Sequence, residues 1–133
     1  MLKYLTILPL LFAFPAQSSD LDCEKAKTTV ESNECAAIER DAAYDKMVQY
    51  FETSLKQFPG EQDLLREMKM AQRQWDSYMN THCNSVYTLW SGGSIRTQMA
   101  LACETRLIKV RTHELWSEFL TYIDSTQPVL PKP

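Results

Sequence analysis

Four cysteines, Cys23, Cys35, Cys83 and Cys103, and the stretch "WSGGSIRTQMALAC" from Trp90 to Cys103 are the residues whose types and spacing bear on chemistry. Cysteines at these distances can oxidise in pairs, bind zinc or act as nucleophiles. Zinc is disfavoured because neither Cys-x-x-Cys nor a closely spaced Cys/His pair occurs. An even number of cysteines fits two disulfides with no thiol left over. In the second stretch, Gly92 and Gly93 precede Ser94 and a helical run with Arg96 in its first turn. Such a corner can cradle an anion on free N–H groups, or it can simply turn the chain. A phosphate cradle is disfavoured, because no strand precedes the glycines and the Lys-Ser/Thr of a P-loop is missing.

Catalytic constellations are sparse. Glu31, Glu34, Glu39 and Asp41 are close in sequence, and glycoside cleavage needs two carboxylates facing one cleft. A helix start also favours acids for its own reasons. His82 and His113 fall in different helical segments, and neither Gly-x-Ser-x-Gly nor His-Glu-x-x-His is present. No enzyme activity, metal or cofactor is expected.

The elements that must position these residues follow from the ends of the chain inward. Residues 1–18 have one lysine, an apolar run from Leu5 to Phe14 and small residues at Ala16 and Ser18, the pattern of a signal peptide cleaved after Ser18. Asp22 before Cys23 does not suit a lipoprotein, so the expected location is the periplasm or the extracellular space, without a lipid anchor or a stable membrane insertion. Export brings the cysteines into an oxidising compartment. The signal carries Lys3 and no acid, so its removal shifts the formal charge from −3 to −4. That balance disfavours nucleic acid and anionic membranes as partners and suits a basic protein.

Helical periodicity runs through the rest. The first helix is expected to start at Ser32 as N-cap and to carry Cys35, Ile38, Ala42, Met47, Phe51 and Leu55 on one face. Pro59-Gly60 breaks it, and a second, antiparallel helix carries Leu64, Met68, Gln72, Trp75, Tyr78 or Met79, and His82, fraying near Cys83 to Tyr87. Ser94 is expected to cap a third helix with Ile95, Met99, Cys103, Leu107, Val110, Leu115 and Phe119 in its stripe, reaching about Ile123. Trp75 reads as a core residue, Gln72 as a partner for a backbone group, and Arg111 as a partner for Glu114 or an acid of the first helix.

The expected fold is therefore all-α: a small three-helix antiparallel bundle, a helical hairpin plus a third helix, stapled by two disulfides. It occupies residues 19–125, and a proline-rich tail at 126–133 reads as extended or disordered. In an up-down-up bundle all four cysteines fall near one end. The local pairing, Cys23 with Cys35 and Cys83 with Cys103, is preferred, and Cys35–Cys83 with Cys23–Cys103 is the next arrangement.

The stretches "DCEKAKTTVESNEC", "AQRQWDSYMNTHC", "GGSI" and "CETRLIKVRTHEL" resemble, in order and spacing, the lysozyme inhibitor LprI-like domain family, from about Asp22 to Leu115. The chain departs from that family's pattern at Tyr78-Met79-Asn80, where Tyr-Arg-Asp is usual, and at Ala43 to Val48. The resemblance implies a non-enzymatic binding protein, with a basic lysozyme or related muramidase as partner; an accessory or immunity protein with a different envelope or secreted partner is the alternative. An inhibitor of such an enzyme needs a protruding loop whose donors reach the carboxyl groups of its cleft. Trp90, Ser91, Gly92, Gly93, Ser94 and Arg96 are the candidate contact residues, with hydroxyls, unhindered N–H groups, a guanidinium fork and an aromatic anchor.

Overall fold

Three helices account for almost all of the computed structural model, which describes residues 21–133; the signal peptide expected at 1–18 lies outside the described residues. Helix α1 spans Thr29–Lys56, α2 spans Gln62–Leu89 and α3 spans Arg96–Phe119, with a single 3-10 turn at Cys23–Lys25 ahead of them. No strand occurs among the described residues.

Helix α1 begins earlier than Ser32. Thr28 is its N-cap: the Glu31 N–H donates to Thr28 Oγ1 at 3.1 Å, and the Thr28 N–H donates back to Glu31 Oε2 at 2.9 Å. This reciprocal capping box satisfies two donors that a helix start leaves unpaired. Backbone donors at Lys27 and Thr28 hold the Glu31 carboxyl below its ordinary pKa.

The helix ends at a turn whose Gly60 has φ +93°. That left-handed conformation is strained for any residue with a Cβ. Gly92 and Gly93 have no positive φ, and a Cβ at Gly92 would meet nothing within 4 Å. Gly60→Ala is accordingly expected to destabilise the fold by about 1–2 kcal/mol. Gly92→Ala is expected to stabilise it by about 0.4–1 kcal/mol through the unfolded chain. Urea unfolding of the two variants gives opposite signs if the backbone is as described.

Helix α3 lies closest to both partners, and cross-helix pairs set the directions. Glu39 meets Lys109 at 2.7 Å and the Phe58 ring meets Phe119 edge-on at 6.2 Å, so α1 and α3 run parallel. Gln72 reaches Arg111, and Cys83 joins Cys103, so α2 runs antiparallel to α3. Met47, Tyr50, Met79, Cys83, Cys103, Leu107, Ile108, Leu115 and Leu120 form the buried cluster, with Trp75 packed against it. The two departures from the family pattern supply part of it, since Met47 and Met79 are both buried.

The α3 stripe differs from the expected one. Ile95 and Val110 are 40% and 49% exposed, while Thr105, Ile108 and Thr112 are buried. Each buried threonine donates to the carbonyl four residues back, Leu101 and Ile108 respectively, and Ser54 of α1 does the same to Tyr50. A hydroxyl satisfied within its own helix can sit in the core without a partner elsewhere, and its small bulk lets helices approach. On α1, Ile38 is 53% exposed, so it too lies off the core face.

A polar seam joins all three helices. Gln72 Nε2 donates to Asp76 Oδ1 at 3.3 Å and contacts the Met47 sulfur at 3.5 Å, while its Oε1 accepts from Arg111 Nε at 3.2 Å. Arg111 also pairs with Glu114 at 3.2 Å. Gln72 thus serves side chains rather than the backbone.

Burial raises the Asp76 carboxyl above its ordinary pKa, against the lowering effects of the Gln72 bond and the Arg111 charge. A carboxyl raised on folding favours the folded state while it is protonated and opposes it once pH climbs through the raised value. Asp76→Asn is therefore expected to raise Tm at pH 7 and to give no gain at pH 3, where both states of the wild-type carboxyl bind the proton.

Helix α3 stops at Phe119 instead of about Ile123, with the Leu120 N–H bonded to the Trp116 carbonyl. The chain then turns back, and the tail is held rather than disordered. The Val129 N–H donates to the Leu120 carbonyl, Trp116 Nε1 to the Leu130 carbonyl, and the Tyr50 hydroxyl to the Pro131 carbonyl, at 2.9, 2.9 and 2.7 Å. Val129 and Leu130 pack against the core, which a polar disordered tail cannot do.

Candidate functional site

Parallel α1 and α3 and antiparallel α2 bring the start of α1, the end of α2 and the start of α3 to one end of the bundle. Both disulfides lie there, in the local pairing: Cys23–Cys35 and Cys83–Cys103, each with a Cα–Cα distance of 5.6 Å. The second bridge explains why α2 continues through Cys83 to Leu89 instead of fraying. Cys83 is 1% exposed and covalently tied to α3, so the last turns of α2 are supported from the core side. No cysteine is free, and among the described residues no cluster of three His, Cys, Asp or Glu side chains is placed to hold a metal.

The connection from α2 to α3 forms the tip of this end. Its backbone folds on itself through Trp90 N–H to Val86 O, Ser91 N–H to Thr88 O and Gly93 N–H to Trp90 O, at 3.2, 3.0 and 2.9 Å. Ser91, Gly92, Gly93, Ser94 and Arg96 are all exposed. Ser94 does not cap α3: Ile95 occupies the N-cap position, and no side chain bonds the free N–H groups there. Among the described residues neither serine hydroxyl has a hydrogen-bond partner in the chain, and the N–H groups of Gly92 and Ser94 have no backbone acceptor. The corner requires no glycine at 92, so the glycines are not explained by the turn.

Arg96 is oriented, with its guanidinium 4.8 Å from the centroid of the Tyr87 ring on the last turn of α2. Such a cation–π contact restrains the side chain while leaving its donors outward. The same corner carries three exposed apolar side chains, Leu89 at 77%, Trp90 at 39% and Ile95 at 40%. Leu89, Tyr87 and Ile95 join the six residues expected from the sequence. Ile95 fits the α3 stripe by its spacing, and Leu89 falls in the connection without a polar group or an aromatic ring, so neither stands out in the sequence as a contact residue.

The acids near the start of α1 are differently placed. Glu31 is engaged in the capping box, Glu39 in the bridge to Lys109, and Asp41 pairs with Arg40 at 3.1 Å. The recess beside them is an open groove of about 510 Å³ between α1 and α3, lined by Ala36, Gln98, Ala102 and Thr105 among others, without a walled cleft. Asp22, Glu24 and Glu34 are exposed at the same end of the bundle as the loop. The two histidines sit apart, His82 stacked on Tyr78 at 5.4 Å and His113 against Trp116 at 5.4 Å. None of the described helices is long and apolar enough to cross a membrane.

Comparison with known proteins places these features in a family. No curated protein and no solved structure matches the chain. The family described as lysozyme inhibitor LprI matches residues 22–115, from the residue before the first cysteine to the buried Leu115 near the end of α3. That span covers all four cysteines, the glycine corner and most of the bundle, and the chain belongs to the lysozyme inhibitor LprI family.

Proposed function

We propose that the protein is an exported, non-enzymatic inhibitor of a lysozyme-type muramidase, and that the Trp90–Arg96 loop is the surface it offers. The observation that carries this reading is the composition and support of that loop: an oriented Arg96, exposed Leu89, Trp90 and Ile95, and unpaired donors, on a corner tied to the core by Cys83–Cys103. A muramidase cleft presents two carboxyl groups. Arg96 supplies a planar fork of matching geometry, and the free N–H and hydroxyl groups supply further donors. Trp90 and Arg96 are of the residue types enriched at interface centres. A loop fixed beforehand loses less freedom on binding. The net charge of the chain, −3 at pH 7, favours approach to a basic enzyme.

The test is direct. The purified oxidised protein, at micromolar concentration, is expected to slow the clearing of cell-wall suspensions by lysozyme. Unchanged clearing together with capture of a single non-muramidase protein from the producing cell's envelope would replace this reading with that of an accessory or immunity protein.

A further inference from the structure

Charge is distributed unevenly along α2. Its first half carries Asp63, Arg66, Glu67, Lys69 and Arg73, whereas the 19 residues from Ser77 to Ile95 contain no Asp, Glu, Lys or Arg. The chain as a whole is 23% charged, so a surface stretch of that length would ordinarily hold roughly four such residues. Much of it is on the surface: Asn80, Thr81, Asn84, Ser85 and Thr88 are all exposed. Tyr78, His82 and Leu89 follow one another at helical spacings of four and seven, on one side of α2. Tyr78 and Leu89 are 54% and 77% exposed, and the His82 ring stacks on Tyr78.

These side chains are not the ones a solvated helix selects for its own sake. Asn, Ser and Thr are poor helix formers because they compete for the backbone. The Ser85 and Thr88 hydroxyls do so here, donating to the His82 and Asn84 carbonyls at 2.6 and 3.0 Å. Lys, Glu, Gln and Arg are the usual choice, as in the first half of the helix. The second half holds without them because Cys83–Cys103 and the buried Met79 support it from the core side. Tyr, Ser, Asn, Gly and Trp, with Arg96 at the end, is instead the composition of antibody contact surfaces, which join adaptable hydrogen bonding to rigid aromatic area.

The sign of the missing charge identifies the partner. A contact face for a generic basic surface gains from acids, yet none of the chain's 17 Asp and Glu residues falls between Ser77 and Ile95. Acids are costly where the opposing surface is itself acidic, and a muramidase cleft carries two carboxyl groups. The glycan that fills such a cleft is rich in hydroxyl and acetamido groups. Anything that displaces it without offering similar groups leaves the cleft's polar atoms unpaired. The carboxamides of Asn80 and Asn84 and the hydroxyls of Thr81, Ser85 and Thr88 are groups of that kind.

We infer that Ser77–Leu89 of α2 is a second contact segment for the muramidase, lying along its substrate cleft with neutral carboxamides and hydroxyls in the place of the glycan's, while the corner reaches the carboxyl pair. The inference rests on the inhibitor reading and extends it, since the protein then competes with the glycan strand itself over about 18 Å of helix.

The experiment measures binding of the purified oxidised protein to a c-type lysozyme by titration calorimetry. Asn84→Glu with Ser85→Glu puts two acids on the face, and Asn84→Gln with Ser85→Gln adds the same bulk without charge. The Glu pair is expected to weaken binding by about ten-fold or more, and the Gln pair to stay within about three-fold of wild type. Gln62→Glu, at an exposed position in the first turn of α2, reports the long-range effect of an added acid on a basic enzyme and is expected to change affinity by less than about two-fold. An excess of the trisaccharide of N-acetylglucosamine is expected to displace the wild-type protein. Should circular dichroism show helix lost in the Glu pair, Asn80→Glu against Asn80→Gln replaces the comparison. Tighter or unchanged binding by the Glu pair, equal losses in the Glu and Gln pairs, or no displacement by the trisaccharide overturns the inference and leaves the inhibitor reading standing. Wild-type protein that does not bind lysozyme overturns both.

Discussion

Replacing Cys83 and Cys103 together by alanine is expected to lower the unfolding free energy by roughly 3–5 kcal/mol, the largest loss from removing either bridge. Two effects combine. Opening a closure that spans 20 residues of sequence releases the denatured chain. Both sulfurs also sit in the core, with Cys83 1% and Cys103 7% exposed, so their removal leaves a void between α2 and α3. Cys23 is exposed and lies in a short 3-10 turn that packs mainly on α1. Without its bridge to Cys35 the segment before Thr28 can fray locally while the three helices remain packed, so Cys23→Ala with Cys35→Ala is expected to cost only about 1–2 kcal/mol. Urea unfolding under non-oxidising conditions measures both, and equal losses would contradict this division. The larger loss also has a functional side. The corner tied by Cys83–Cys103 would be mobile in the variant, and any partner binding there would weaken beyond what reduced folding accounts for.

The second large effect concerns the proposed interface. Trp90→Ala and Arg96→Ala are each expected to weaken the complex with the inhibited enzyme by about 2 kcal/mol or more, some 30-fold in Kd. Stability should hardly change. Arg96 is exposed and Trp90 is 39% exposed, and neither belongs to the buried cluster. Ile38→Ala and Val110→Ala provide the control. Both side chains are half exposed on α1 and α3 and neither belongs to the Trp90–Arg96 loop, and both variants are expected to bind within about 0.5 kcal/mol of wild type. Titration calorimetry of the four variants separates the faces. Losses confined to Ile38 and Val110 would move the interface to the α1–α3 groove.

Several elements were legible in the residues. The helical periodicity, the Pro59-Gly60 break and the four cysteines lead to three helices and two disulfides, and the structure has Cys23–Cys35 and Cys83–Cys103. The helix bounds were less readable. Thr28 and Glu31 form a capping box three residues apart in the sequence, a local signal that a later serine obscured. The far end of α2 was not readable from propensity, because a bond from Cys83 to another helix supports it. For the candidate site, the corner and Arg96 were visible as residue types, while the roles of Leu89, Tyr87 and Ile95 depend on which helix face is covered.

The sequence by itself determined the class of the protein: helices, because apolar residues recur at helical spacing; paired cysteines, because their number is even and metal spacings are missing; and the family, because its motifs occur in order. Only the tertiary structure decided which end is which and what remains uncovered. It put threonines in the core where valine and isoleucine were expected, since a hydroxyl bonded to its own helix needs no outside partner. It also laid a proline-rich tail onto Trp116 and Tyr50, because a side-chain donor has a partner only when folding brings a distant carbonyl within reach. Glycine at 92 has the same lesson: its neighbours in sequence suggest a turn, and only the backbone shows that the turn does not require it.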